Sequence, residues 1–253
     1  MVSRHGYANC VTTLKPTAQL GEGTRSAEAH GRADSFLRRN ALGLVTFGLF
    51  AVLTVALLVT GQRSYNADQL DHGGTGVDLI SYLGEGHFWE AVFENWESEF
   101  LQMAAYVILT VYLIQKGSAE SKDPTTHEHV DDDPRHADLR KPVPWPVRRG
   151  GIWLVLYEHS LLLAFVALFV GSIIGHAFGG VDDYNAELQE HGGTAVSLWG
   201  YVSSAQFWFE SFQNWQSEFL AVFAIVFLSI FLRQKGSPES KPVAATADHT
   251  GNT

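Results

Sequence analysis

Four apolar stretches alternate with polar segments along the chain. The stretch at 40–60 carries no ionisable side chain, and the stretch at 160–178 carries only His176. Two further stretches, at 100–114 and 219–232, reach the length of a membrane span only if each begins about one turn earlier. Since a membrane-crossing helix needs about 20 apolar residues, the pattern predicts four transmembrane helices. Their expected bounds are about 40–60, 97–115, 158–178 and 216–234.

The segments outside these helices are polar. Residues 1–35 lack the apolar core of a signal peptide and are predicted to be a disordered tail. Residues 123–154 form a linker with an acidic run at 131–133 followed by prolines, and 242–253 form a second tail. A soluble protein with buried helices would show amphipathic segments with interspersed charges, and the four apolar stretches show neither.

The chain contains an internal repeat with an offset of 119 residues. About 30 of the 58 positions from 65 to 122 are identical to those from 184 to 241, without a gap. The shared motifs are YNA, HGGT, FW, NW-x-SEFL and QKGS-x-ESK. Such identity indicates a tandem duplication of a unit with two helices and one long loop, at 36–122 and 155–241.

Two helices in each unit determine the symmetry of the predicted fold. After two crossings the second unit starts on the same side of the membrane as the first, so the halves are parallel repeats about an axis along the membrane normal. We therefore predict an all-α integral membrane protein. Its expected architecture is a four-helix bundle made of two parallel tandem repeats, with both long loops on one face.

The charge distribution predicts the orientation in the membrane. The loops at 61–99 and 180–218 hold 1 basic and 14 acidic residues, which gives a net charge of −13. The rest of the chain carries +3, and together the two parts give the total of −10. Because lysine and arginine favour the cytoplasmic flanks of spans, both termini and the linker are predicted to be cytoplasmic and both acidic loops to lie outside.

Amphipathic segments precede the second and fourth spans. Phe88, Val92, Trp96 and Phe100 recur every four residues, and most of the neighbouring glutamates fall off this stripe. This spacing predicts a helix that either lies in the outer interface or is continuous with the following span.

Three repeated pairs are interpreted as structural residues. One pair caps the second and fourth spans, one belongs to an aromatic belt, and one marks the inner ends of these spans. The pairs are Asn95 and Asn214, Trp96 and Trp215, and Lys116 and Lys235.

The third span carries a line of small residues. Gly171, Gly175 and Gly179 form a GxxxGxxxG pattern, which lets helix backbones approach closely. His176 lies beside this line, but its counterpart under the offset is Leu57. It is therefore interpreted as a lone histidine at the membrane edge.

The motifs of the second unit read NWQSEFL from Asn214 to Leu220 and FLRQKGSPESKP from Phe231 to Pro242. They resemble an uncharacterised family of predicted bacterial integral membrane proteins with a domain of unknown function. The resemblance implies a multi-pass protein of the bacterial inner membrane. It implies no activity and no cofactor.

Glu99 and Glu218 are the first candidates for a functional pair. Glu99 and Lys116 are 17 residues apart, or about 25 Å along a helix, so both glutamates are expected near the outer edge of the hydrocarbon core. Ionisable groups at that depth are costly unless they face a hydrated cavity or a partner. The two interpretations are a cation, proton or metal role, and acidic first-turn residues stabilised by the helix dipole.

His72 and His191 stand in the repeated HGGT motif. Imidazole and carboxylate side chains suit zinc or iron, so these histidines and the pair Glu99 and Glu218 form a candidate metal set. The chain lacks a supporting HxxE or HExxH spacing around them, and a plain glycine turn is the alternative interpretation.

Composition limits the function classes. The acidic balance argues against a nucleic-acid partner, the single Cys10 excludes an internal disulfide, and no cofactor fingerprint is present. The first hypothesis is a non-enzymatic scaffold or accessory subunit in the lipid bilayer, docking a membrane protein or a second copy through its acidic loops. The alternative is a cation or small-solute conduit with Glu99 and Glu218 at its outer mouth. A third hypothesis is a metal-dependent membrane enzyme.

Overall fold

The computed structural model describes residues 36–251, and this part of the chain is all-α, with no strand. The predicted tail at 1–35 and the last two residues lie outside the described part. Two short 3-10 turns, His129–Asp131 and Pro134–His136, lie in the predicted linker. The described helices are α1 Phe36–Arg39, α2 Ala41–Asp71, α3 Leu79–Tyr82, α4 Gly86–Tyr112, α5 Trp145–Arg149, α6 Gly151–Glu158, α7 Ser160–Glu190, α8 Leu198–Val202 and α9 Ala205–Leu228.

The chain divides into two compact units, Met1–Ala56 and Leu57–Thr253. In the described part of the first unit, the large apolar side chains of α2 are exposed. Thr46 and Thr54 bond their hydroxyls to the main-chain oxygens of Leu42 and Phe50, each at 2.9 Å. These hydroxyls are therefore satisfied within the helix, as an apolar surrounding requires.

α2 and α7 are each 31 residues long, and both are apolar and long enough to cross a membrane by length and composition. α4 and α9 contain 27 and 24 residues. Each of these two helices runs without a break from its amphipathic segment into its apolar segment. Of the two arrangements predicted for the amphipathic stripe, the continuous helix is therefore the observed one.

α4 and α9 end earlier than the sequence predicts. They stop at Tyr112 and Leu228 rather than at 115 and 234, because the QKGS motif folds into a separate turn. The turns are closed by hydrogen bonds from Ser118 N to Gln115 O at 3.0 Å and from Ser237 N to Gln234 O at 3.2 Å. Their glycines, 117 and 236, have φ angles of +83° and +85°, which only glycine adopts at little cost.

The closest helix pair in the second unit is α4 on α7, and glycines explain the approach. A Cβ atom on Gly179 would lie 2.7 Å from the main-chain nitrogen of Glu90, and one on Gly175 would lie 2.5 Å from the ring of Phe93. An added side chain at Gly175 or Gly179 would therefore meet α4. At Gly171 an added Cβ would meet nothing within 4 Å, so this glycine makes no close approach.

The C-terminal segment folds back onto the first QKGS turn. Lys241 is 1% exposed, and its ammonium donates to the main-chain oxygens of Gly117 at 2.5 Å and His249 at 2.9 Å. The oxygens of Thr246 and Ala247 lie at 3.2 and 3.1 Å. A buried charge needs such compensation, so the segment after Lys241 is an integral part of this end of the fold.

Candidate metal centre

The outer loops are held by the same asparagine bonds in both halves. Asn66 accepts from Val77 N at 2.7 Å and donates to Val77 O at 2.8 Å. Asn185 accepts from Val196 N at 2.7 Å and donates to Val196 O at 3.0 Å. Both pairs are related by the 119-residue offset. These asparagines fix the loops that lead into α3 and α8.

α3 and α8 each deliver a buried tyrosine to a neighbouring glycine. Tyr82 is 1% exposed and Tyr201 is 0% exposed. A Cβ atom on Gly61 would lie 2.6 Å from the Tyr82 hydroxyl, and one on Gly180 would lie 2.2 Å from the Tyr201 hydroxyl. Only a glycine in these helices therefore leaves room for the two phenol groups.

A buried ion-pair cluster occupies the space beside Tyr201. His176 from α7 and Glu97 from α4 are both 0% exposed. His176 Nδ1 lies 2.9 Å from Glu97 Oε2, and His176 Nε2 lies 3.4 Å from Glu210 Oε2 on α9. One imidazole therefore links carboxylates from two other helices.

Neutral donors complete the cluster. The Tyr201 hydroxyl lies 2.7 Å from Glu210 Oε2 and 3.2 Å from Glu90 Oε1. Trp215 donates its indole N–H to Glu97 Oε1 at 2.8 Å. Because these donors come from α8 and α9, they hold the carboxylates at fixed positions and orient them toward one another.

Other polar contacts adjoin this arrangement. Asn214 donates to Glu94 Oε1 at 2.6 Å, and Gln206 donates to Glu210 Oε1 at 2.5 Å. A cavity of about 250 Å³ opens beside Glu90, Glu94 and Glu210, and its lining contains no lysine or arginine. The carboxylates thus face a space without a protein cation.

Burial raises the pKa values of two of these carboxylates, whereas hydrogen bonds lower the pKa of the third. Burial, with the charge of Asp183, raises the pKa of Glu90 to about 9. Burial also raises the pKa of Glu94. For Glu210 burial acts in the same direction, but hydrogen bonds from His176, Tyr201 and Gln206 outweigh it and leave the pKa below its usual value. At neutral pH Glu90 therefore holds a proton and Glu210 is ionised.

Three of these side chains can bind one metal ion. Glu90, His176 and Glu210 place one ligand atom each within 4.8 Å of one another. Two ligands of one zinc ion lie about 3.3 Å apart when the metal–ligand bonds are about 2.0 Å, which is close to the 3.4 Å between His176 and Glu210. Imidazole with two carboxylates suits zinc, iron or manganese.

The HGGT histidines meet at the outer surface. The ring centroids of His72 and His191 lie 6.0 Å apart, and Asp68, His72 and Glu190 form a second group of potential metal ligands. The predicted glycine turns are also present, with φ angles of +81° at Gly73 and +74° at Gly192. The two histidines of the predicted metal set therefore lie close together, and each also stands beside a glycine turn at the end of a helix.

The family comparison covers both groups of potential ligands. The chain matches the domain of unknown function DUF6766 over residues 33–252. It belongs to that family. No curated protein and no solved structure matches the chain. The matched range includes all four predicted spans, both HGGT motifs and the buried cluster, so the geometry described above lies wholly within the family's domain.

The predicted glutamate pair lies outside the buried cluster. Glu99 is exposed and Glu218 is half-buried. Gln102 donates to the main-chain oxygen of Glu218 at 3.2 Å, so α4 and α9 are in contact at this level. Neither carboxylate belongs to the groups of potential metal ligands found among residues 36–251. The glutamate that turns inward is Glu97, two residues earlier.

The predicted helix caps at Asn95 and Asn214 are wrong. Both residues lie inside helices that begin about ten residues earlier, at Gly86 and Ala205. The reason is that the amphipathic segments are continuous with the spans. Asn95 donates instead to Ala91 O at 2.7 Å. Asn214 donates to the Glu94 carboxylate beside the cluster.

The remaining structural pairs have separate roles in the two halves. Trp96 is partly exposed, whereas its counterpart Trp215 donates to Glu97. Lys116 and Lys235 are exposed in the turns after α4 and α9, where they follow the helix ends by several residues. The sequence analysis placed these lysines at the ends of the spans, whereas the helices end at Tyr112 and Leu228.

The interpretation of His176 as a lone edge histidine is also wrong. It is fully buried and contacts two carboxylates. The cluster was missed because its residues break the repeat. Under the 119-residue offset the mismatched pairs are His176 with Leu57, Glu90 with Phe209, Glu97 with Gln216, and Glu210 with Ala91. A search for acidic or histidine residues at mismatched positions would have found all four.

Proposed function

We propose that this chain is a multi-pass membrane protein that binds a divalent transition-metal ion at Glu90, His176 and Glu210. The observation that carries the proposal is the convergence of these three side chains, from three helices, beside a cavity, with His176 buried and both glutamates partly buried. Binding a cation there offsets the repulsion among the carboxylates. Binding displaces the proton that Glu90 holds at neutral pH and requires His176 Nε2 without a proton, so metal binding and proton release are coupled.

The proposed architecture is a bundle of four membrane spans built from two parallel tandem repeats in a lipid bilayer. The apolar lengths of α2 and α7 support it. The asparagine and tyrosine contacts that recur at positions 119 residues apart support the duplication. The bacterial inner membrane and cytoplasmic termini follow from the family resemblance and from the acidic loops.

Cysteine labelling of the intact chain tests this topology. Cys10 is the single native cysteine, so it reports on the N-terminal side, and Thr75→Cys or Thr194→Cys in a Cys10→Ala background reports on the two loops. A membrane-impermeant maleimide should label both loop positions in intact cells and Cys10 only after permeabilisation. Labelling of one loop without the other would contradict parallel repeats.

Metal binding to purified full-length protein in lipid nanodiscs tests the site. After chelation, Co²⁺ is titrated while its visible absorption is recorded, and the released protons are measured in weak buffer. We expect the Glu90→Gln/Glu210→Gln variant to lose at least 10-fold in affinity. The matched control, Glu99→Gln/Glu218→Gln, removes the same number of carboxylates outside the cluster and should bind as wild type. Equal affinity in all three proteins would overturn the proposal.

A second candidate function is docking of another membrane protein or a second copy. It is favoured by the exposed apolar side chains of α2, such as Leu42 and Phe47, which are 81% and 68% exposed, and by the net charge of −13 in the loops. Lipid also covers such a surface. Native mass spectrometry from lipid nanodiscs distinguishes these cases, since a monomeric mass at all protein concentrations would exclude self-association.

A further inference from the structure

A separate cavity lies at the outer ends of α2 and α7, within the second compact unit. Its volume is about 430 Å³, and three of its lining residues are the histidines His72, His87 and His191. The other titratable lining groups are acidic apart from Tyr65, and the lining contains no lysine or arginine. A solvent-accessible space with several imidazoles and carboxylates has the donor composition of a transition-metal site.

Side chains from the ends of α2 and α7 lie next to one another at this cavity, so that the His72 ring is beside two carboxylates. His72 Nδ1 lies 3.5 Å from Asp68 Oδ1 and 3.8 Å from Glu190 Oε2. Asp68 and His72 belong to the end of α2, and Glu190 ends α7. Gln69 donates to the other oxygen of Glu190 at 2.9 Å. This bond holds Glu190 in place across the two halves.

The two HGGT histidines are oriented in the same way. His72 Nδ1 lies 3.0 Å from the main-chain oxygen of Asp68, and His191 Nδ1 lies 2.9 Å from that of Glu187. A proton on Nδ1 satisfies each carbonyl and leaves Nε2 with its lone pair. Metal-binding histidines are typically oriented by such a bond from the nitrogen that does not bind the metal.

The separation of the two rings fits a shared ion. Two imidazoles bound to one metal through bonds of about 2.0 Å have ring centroids about 5 to 6 Å apart, depending on the coordination angle. The observed separation of His72 and His191 is 6.0 Å. Small side-chain rotations at the exposed surface would therefore complete the coordination.

We propose that Asp68, His72, Glu190 and His191 form a second metal site, which takes a divalent transition-metal ion at the outer surface between the two halves. The site shares no ligand with the buried cluster, so it does not depend on the function proposed above. Its ligands are more exposed than those of the buried cluster, so it should exchange metal with solution faster and bind it more weakly.

Co²⁺ and Zn²⁺ binding to full-length protein in nanodiscs tests the second site. Wild type should bind two equivalents of Co²⁺. The His72→Gln/His191→Gln variant should lose at least 10-fold in affinity at the weaker site and keep the tighter one. Asp68→Asn, which leaves both rings intact, should weaken the same site. His129→Gln, at an exposed histidine of the linker, is the control and should bind as wild type.

The Glu90→Gln/Glu210→Gln variant separates this proposal from the previous one. It should retain the outer ion, and the zinc X-ray absorption spectrum of that variant should show scattering from two imidazoles. An unchanged weak site in the His72→Gln/His191→Gln variant would overturn the second site alone. Loss of only that site would support it even if the buried cluster bound no metal.

Discussion

The surroundings of Tyr82 and Tyr201 show how the two halves differ. Both tyrosines are buried, and both hydroxyls face a glycine of the preceding long helix. The Tyr82 hydroxyl lies 2.6 Å from His87 Nδ1, whereas the Tyr201 hydroxyl contacts Glu210 and Glu90. The framework is therefore the same in both halves, and the ionisable groups around it are not.

This difference teaches where to look for chemistry in a chain whose sequence repeats at a fixed offset. Positions that kept their identity, such as Asn66 with Asn185, hold loops and helix contacts. Positions that diverged, such as Leu57 with His176, supply the charged groups of one half. A buried charged cluster carries a large desolvation cost, and it occurs on one side of this comparison only.

The largest expected effect comes from replacing His176 with leucine, the residue found 119 positions earlier. His176→Leu leaves the Glu97 carboxylate buried without its imidazole partner, and breaking such a pair costs about 3–5 kcal/mol. The free energy of unfolding in detergent micelles measures the loss. His159→Leu, at an exposed histidine at the start of the same helix, should change stability by less than about 0.5 kcal/mol. Equal stability of both variants would show that the buried pair contributes nothing.

Removing the asparagine hydrogen bonds should lower the free energy of unfolding by the same amount at both loops. Asn66→Ala and Asn185→Ala each remove two hydrogen bonds to a loop valine. At about 1 kcal/mol for each bond, both variants should lose about 2 kcal/mol in the same unfolding measurement. A loss in only one variant would mean that the framework itself has diverged.

Replacing the two buried tyrosines with phenylalanine should lower the free energy of unfolding by different amounts. Tyr201→Phe removes a donor to two carboxylates and should cost about 1.5 kcal/mol, whereas Tyr82→Phe should cost about 1 kcal/mol. Loss of an orienting partner also lowers metal affinity by about 10-fold or more, so Tyr201→Phe should weaken Co²⁺ binding at the buried site. Tyr82→Phe is the matched control, and a similar weakening in it would contradict the assigned asymmetry.

The smallest expected effect is the change in the free energy of unfolding with pH, measured on protein treated with a chelator. Because the pKa of Glu90 is raised to about 9, the folded protein holds a proton that the unfolded chain has released. Its contribution to stability is complete below the usual glutamate pKa of about 4.3 and falls as pH rises toward 9. Between pH 7 and 8 the loss should be about 1 kcal/mol at most.

Glu90→Gln should flatten this pH dependence, and Glu99→Gln should leave it unchanged. Thermal unfolding at several pH values measures both. A wild-type stability that rises between pH 7 and 8 would show that Glu90 is ionised in the folded protein.

Periodicity and length predicted the helices because they depend on local residue types. The long helices, the glycine turns and the close packing at Gly175 and Gly179 all follow from such local signals. The ends of α4 and α9 were harder to predict from the sequence, because the QKGS turn competes with the last helical residues. The main-chain N–H groups of Gln115 and Gln234 donate hydrogen bonds to the hydroxyls of Ser121 and Ser240, both at 2.9 Å, and stabilise that turn.

The repeat pattern did not predict the buried cluster, because the inward direction of its side chains depends on how each helix is rotated. Glu97 and Glu99 are two residues apart, or about 200° around a helix axis, so only one of them can face the bundle. Repetition favoured Glu99, whereas packing turned Glu97 inward. The meeting of His72 and His191 was easier to anticipate, since both stand in the repeated HGGT motif after a long apolar helix.

The cage around Lys241 limits how topology can be measured. Reporter fusions are often made at successive truncation points, and a fusion made anywhere between residues 241 and 249 would remove part of the oxygen cage. The Lys241 ammonium would then lose hydrogen-bond partners that follow it in the chain. The fusion protein would therefore differ from the native protein at this end of the fold. Probes that modify single side chains of the intact chain avoid this artefact.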